Sequence, residues 1–170
     1  MKRTIFFVIV AATIVGTVGA QSGQDTPGLL ESPQAFRESI DLRTSLYELN
    51  LAVEDIALLE ELAGRALILE GTAAVVTVYS EDPADYYSEL EIVSGRWDGV
   101  ESVQIYRAYV FLDDPVFIGR IAERAPRDPD PALILRNDRV LVAGRLVSLA
   151  EDPEGHLVPV IHGYDIRALR

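Results

Sequence analysis

The residues of this chain best suited to chemistry are aromatic. Tyr86 and Tyr87 stand together after an apolar strand, and Trp97 ends the next strand beside Arg96. Tyrosine and tryptophan rings stack on sugars and bases, and a guanidinium makes a planar bidentate contact to a carboxylate. The competing role is packing, with Trp97 and Tyr106 closing one end of the domain and Tyr109 and Phe111 filling its core. Histidine chemistry is limited by number, since His156 and His162 are the only two. On one unbroken strand they would share a face about 20 Å apart, too far for a single metal ion. His162, followed by Gly163 and Tyr164, reads as a hydrogen-bonded sheet residue, and Asp165 falls on the opposite strand face.

Other catalytic patterns are missing. The sequence has no Gly-x-Ser-x-Gly elbow, no His-Glu-x-x-His spacing and no cysteine, so hydrolase, zinc and thiol motifs are absent. The expectation is a non-enzymatic protein with no catalytic residue, no metal and no cofactor. Acidic residues gather in four loops: Glu81, Asp82 and Asp85; Asp113 and Asp114; Asp128 and Asp130; Glu151, Asp152 and Glu154. None has the ligand spacing and central glycine of an EF-hand loop. Each contains proline, as solvated turns do.

Charge narrows the partners. The chain carries 27 acidic and 15 basic residues, a net charge of −12, and Lys2 is its only lysine. Nucleic-acid affinity draws largely on counterion release by basic residues. The balance therefore argues against nucleic acid and anionic membranes, and leaves a protein, a peptide or an oligosaccharide. Lys2 and Arg3 precede an apolar run over 4–18, and Val18-Gly19-Ala20 supplies small residues for cleavage. Residues 1–20 thus read as a secretory signal peptide with Gln21 as the mature end. The run is shorter than the roughly 20 apolar residues a bilayer crossing needs, so no stable membrane anchor is expected and the protein reads as periplasmic or secreted.

Elements that must position the aromatic residues follow from periodicity. Residues 21–32 are rich in Gly, Pro, Ser and Gln and read as a tether. Residues 33–64 form a helical segment, opened by Ser32-Pro33 and best defined over 51–63, with Asn50 as N-cap and Gly64 at the C-terminus. Residues 65–170 alternate as strands. A long strand over 66–79 carries Gly71 as a bend or bulge. Strands over 88–97 and 100–112 flank the hairpin signal Asp98-Gly99. A short strand over 116–121, a proline-rich loop over 124–131, and strands over 139–149 and 156–168 complete the pattern.

The run Asn137-Asp138-Arg139-Val140-Leu141-Val142-Ala143-Gly144-Arg145-Leu146-Val147 resembles the fourth strand of OB-fold domains, and residues 158–167 are similar to their last strand. In outline the chain resembles exported bacterial OB-fold proteins. Asn137 stands where that family usually has glycine, and the segment 124–131 stands where many members have a helix. The resemblance implies a mainly β protein, a small five- or six-stranded antiparallel OB-like barrel preceded by one or two α-helices. It also implies a ligand lying across strands two and three, so that Tyr86, Tyr87, Arg96, Trp97 and His156 border one surface. The function expected on this basis is an exported binding module using that aromatic surface, its ligand left open. The alternative is a structural or assembly subunit docking through the helix 51–63, whose Leu51, Ile56, Leu58 and Leu62 spread over more than one face. Oligomeric state is not encoded legibly.

Overall fold

A computed structural model describes residues 33–99 and 102–170; the expected leader 1–20 and tether 21–32 lie outside them. Pro33 opens helix α1 (Pro33–Ser39), followed by the two-residue strand β1 (Ile40–Asp41). The single helix expected over 51–63 is instead two. Helix α2 (Leu46–Ala52) starts one turn earlier, where Ser45 and Glu48 form a reciprocal capping box. Helix α3 (Ile56–Ala63) has Asp55 as its N-cap, accepting from the amides of Ala57 and Leu58. Asn50 is therefore inside α2, where its side-chain amide donates to the carbonyls of Leu46 and Arg107. The stronger caps decide where the helices begin.

Five strands close into a barrel: β2 (Ala66–Ser80), β3 (Tyr87–Asp98), β4 (Ser102–Leu112), β5 (Arg139–Glu151) and β6 (Leu157–Ala168). The order β2-β3-β4-β6-β5 closes through a β2–β5 pairing. All neighbours are antiparallel except β4 and β6. Closure depends on β2 changing partner midway. Leu67 to Thr72 pair with β5, and Thr72 to Ser80 pair with β3. The irregularity expected at Gly71 falls slightly later, between Ala73 and Val75. Gly71 answers a different need, since a β-carbon there would lie 3.0 Å from Leu46 Cδ1 and 3.1 Å from the Val93 carbonyl oxygen. Its absence lets α2 close over the barrel.

The interior follows strand alternation. Leu67, Leu69, Leu90, Ile92, Val110, Leu112, Val142, Ile161 and Ile166 are fully buried, and Leu46, Leu49, Ala52 and Leu62 of the helices join the same core. The helical segment thus buries those four side chains on its own barrel, while Leu51, Ile56 and Leu58 stay exposed. Residues 113–138 hold no strand of the main sheet. In place of the strand expected over 116–121, Asp114 caps a 3-10 turn (Pro115–Phe117) that buries Phe117, and Ile121 bridges to Ile134. Asn137 has φ +72, and its amide donates to the Ala73 carbonyl at 2.8 Å. Asparagine tolerates this left-handed conformation better than most residues, which explains its place at a position where the resembling family uses glycine.

Candidate functional site

The outer face of β2, β3, β4 and β6 carries a continuous row of rings. Alternation sends Ala108, Val110 and Leu112 inward, so Arg107, Tyr109 and Phe111 point out. The expectation that Tyr109 and Phe111 fill the core is therefore corrected. Register then aligns the rings: Ser80 pairs with Tyr87, Glu89 with Phe111, and Phe111 with His162. The ring centroids of Tyr79 and Tyr87 lie 5.4 Å apart, and those of Tyr87 and Phe111 6.2 Å. Phe111 and His162 stack at 4.7 Å with planes 2° apart, and Tyr164 meets His162 edge-on at 5.2 Å. Gly163, between the last two, gives the inner side room, because a β-carbon there would stand 2.4 Å from Leu112 Cδ2.

Carboxylates frame the row. His162 Nε2 lies 2.8 Å from Asp113 Oδ1. Glu89 sits opposite Thr77 on one side and Phe111 on the other, with the Tyr79 hydroxyl close by. Glu91 faces Tyr109 and lies 3.9 Å from the Arg107 guanidinium. Burial raises the Glu89 carboxyl above its ordinary range, with nearby Glu91 adding to the effect and the Tyr79 hydroxyl opposing it. Burial also raises Tyr79, Tyr87 and Tyr109, reinforced by Glu89 or Glu91. The phenols therefore stay neutral through physiological pH and keep an uncharged face for stacking.

The five residues expected to border one surface are divided. Tyr87 belongs to the row. Tyr86 points the other way, is 4% exposed, and donates to Ser88 Oγ at 3.0 Å, so it is a core residue. Arg96 places its guanidinium 4.7 Å over the Tyr47 ring, and Tyr47 packs edge-on against Tyr106. Trp97 is 70% exposed beside Val103. Ten residues of strand put it roughly 30 Å from Tyr87. His156 lies before β6, in the turn whose geometry Asp152 fixes. Asp152 Oδ1 accepts from the amides of Glu154 and His156, and Oδ2 lies 3.4 Å from both Arg107 and His156 Nδ1. Burial of Asp152 would raise its carboxyl, but these donors outweigh it and the carboxyl ends below its ordinary range. Asp152, Glu154 and His156 converge closely enough to hold a cation. The Arg107 guanidinium already stands 3.4 Å from Asp152 and 3.9 Å from Glu154, which makes the group an ion-pair network.

Tyr79, Phe111, His162 and Tyr164 were not among the expected site residues. For Phe111 the signal is Arg107 of the same strand. It shares strand parity with Tyr109 and Phe111, whereas Ala108, Val110 and Leu112 contain no polar member, so the arginine marks the wet face.

No family model matches the chain, and no curated protein matches it. Similar solved structures include the small single-stranded DNA-binding protein of Streptomyces coelicolor, at 12% identity and TM-score 0.38, covering 59% of this chain and 88% of that one. The mitochondrial single-stranded DNA-binding protein of S. cerevisiae is 17% identical with TM-score 0.41, covering 62% and 94%. The Plasmodium falciparum SSB in complex with single-stranded DNA is 10% identical with TM-score 0.41 and the same coverage. Each of these neighbours is by name a single-stranded DNA-binding protein, which runs against two expectations: a binding module of open ligand or a helix-docking assembly subunit, and the exclusion of nucleic acid in favour of a protein, peptide or oligosaccharide. That exclusion rested on net charge, which governs phosphate contacts. Bases can stack on neutral rings irrespective of it.

Proposed function

We propose that this barrel binds single-stranded nucleic acid by stacking bases on the row Tyr79, Tyr87, Phe111, His162 and Tyr164. The observation that carries the reading is the row itself, five rings from four neighbouring strands with successive centroids 4.7 to 6.2 Å apart. Rings held on a sheet are already ordered, so little rotamer freedom is lost when a base arrives. Base–aromatic stacking contributes about 1–3 kcal/mol per base. Two or three stacked bases would supply most of the affinity with few phosphate contacts. Glu89, Glu91 and Asp113 leave that face poor in positive charge, with Arg145 opposite His162 and Arg107 opposite Val93 as cations of the same sheet.

Fluorescence anisotropy of labelled 15-nucleotide single strands with the full chain tests the reading. Phe111→Ala removes the ring on which His162 stacks, and should weaken binding about tenfold, the cost of one stacked base. Phe111→Trp should retain affinity. Phe111 is half-buried between Tyr87 and His162, so Phe111→Ala should lower the unfolding temperature by about a few degrees while both variants still unfold cooperatively. Absence of binding by the wild type to any single strand, or indifference to Phe111→Ala, would overturn the proposal.

A further inference from the structure

Glu89 is the unusual group on the ring face. Its strand register sets it directly across from Phe111 and Thr77, and the Tyr79 hydroxyl lies near enough to influence its carboxyl. Residues directly opposite on a sheet hold their β-carbons about 4.5–5.5 Å apart, so this carboxylate lies at the edge of whatever covers the Phe111 ring. Two other carboxylates of the face have a basic side chain beside them, Glu91 the Arg107 guanidinium and Asp113 the His162 ring. Among the described residues no Arg, Lys or His nitrogen stands within 4.0 Å of a Glu89 oxygen. Glu89 is nevertheless half-buried. An ionised carboxylate offers about four acceptor positions and no donor, and the nearby Tyr79 hydroxyl could serve at most one of them. A half-buried acceptor without a cation is costly to maintain and gains most from a ligand that brings donors.

We infer that Glu89 reads the edge of the base stacked on Phe111 and favours bases with an exocyclic amino group over uracil and thymine; the inference rests on the nucleic-acid reading of this face. Cytosine presents its N4 amino group, adenine its N6 and guanine its N2, and a glutamate accepts from such groups. Uracil presents a carbonyl oxygen at the position of the cytosine amine. That oxygen has no proton to share and faces the carboxylate with like partial charge. Glu89 acts here as a selector, and the rings act as the platform.

Cytosine and uracil differ only along this edge, so oligo-dC and oligo-dU 15-mers isolate the effect from stacking and phosphate charge. Both are titrated against the full chain at pH 8, well above the ordinary carboxyl range and where oligo-dC remains single-stranded, at one fixed salt concentration. Wild type should bind oligo-dC about tenfold more tightly, the discrimination of one good base contact. Glu89→Gln keeps the shape but offers both a donor and an acceptor. It should bring the two affinities within about twofold, chiefly by tightening oligo-dU. A change of charge alone would shift both affinities together and leave their ratio intact. Equal binding of the two strands by wild type, or an unchanged ratio in Glu89→Gln, would overturn the inference while leaving the stacking function in place. Failure of wild type to bind either strand would remove both.

Discussion

Gly144→Ala tests whether the barrel closes as tightly as its geometry requires. A β-carbon at Gly144 would stand 2.5 Å from the His162 carbonyl oxygen and 2.6 Å from Ile161 Cγ2, where ordinary contact begins at 3.4 Å. The nearest atom is backbone of the adjoining strand, next to a register shift between Ala143 and Gly144. Relief requires β5 and β6 to separate locally by roughly 1 Å, in an interior packed too densely to absorb it. Overpacking of this kind costs about 1–3 kcal/mol, and each weakened ladder hydrogen bond adds about 1 kcal/mol. Alanine recovers about 0.4–1 kcal/mol by restricting the unfolded chain, so the net loss should be about 2 kcal/mol. Gly163→Ala is the internal control. Its β-carbon would meet Leu112 Cδ2 at 2.4 Å and Val110 Cγ1 at 3.1 Å, both ends of side chains. Side-chain ends yield more readily than backbone, so this variant should lose less. Urea denaturation followed by far-UV circular dichroism measures both, since Trp97 is too exposed to report on the core. The displaced atom in Gly144→Ala belongs to His162, so its stack on Phe111 should loosen and oligonucleotide affinity should fall with stability. A Gly144→Ala protein as stable as wild type, or one more stable than Gly163→Ala, would refute the reasoning.

Trp97→Ala should change stability by no more than about 0.5 kcal/mol and leave oligonucleotide affinity untouched; a marked drop in anisotropy would show that the far end of β3 reaches the ligand. Binding should depend only weakly on salt, because few phosphates are neutralised. Each phosphate contact contributes a slope of about −0.7 for a single strand, and a log–log slope steeper than about −2 between 50 and 200 mM salt would contradict the stacking account. Glu89→Gln should raise the melting temperature at pH 7. Burial holds the folded-state carboxyl above its unfolded range, so ionisation at neutral pH opposes folding, and the opposition lifts as pH falls through the raised value. The gap between variant and wild type should therefore close on acidification. In thermal melts at pH 7 and pH 4, a gap of constant size, or a variant that melts below wild type at pH 7, would contradict this sign.

The strands were legible in sequence because their two faces differ in chemistry, and the orientation of one strand was not legible because its signal is sparse. The acidic and apolar alternation of Glu89, Leu90, Glu91 and Ile92 fixes inside and outside without help from other strands. In β4 both faces contain large apolar side chains, and the aromatic set is the more hydrophobic by inspection. Only Arg107 betrays it. A closed barrel of five strands has a narrow interior that favours Ala108, Val110 and Leu112 over tyrosine and phenylalanine, and that limit appears only once closure is known. His162 was hidden for a related reason. Its neighbours in sequence are Gly163 and Tyr164, while the neighbours that give it a role are Phe111, 51 positions earlier, and Asp113. A row of rings contributed by four strands is a property of register. Register is set by pairings such as Glu89 with Phe111 and Phe111 with His162, so two facing positions slipped by one residue would turn the same rings into the core.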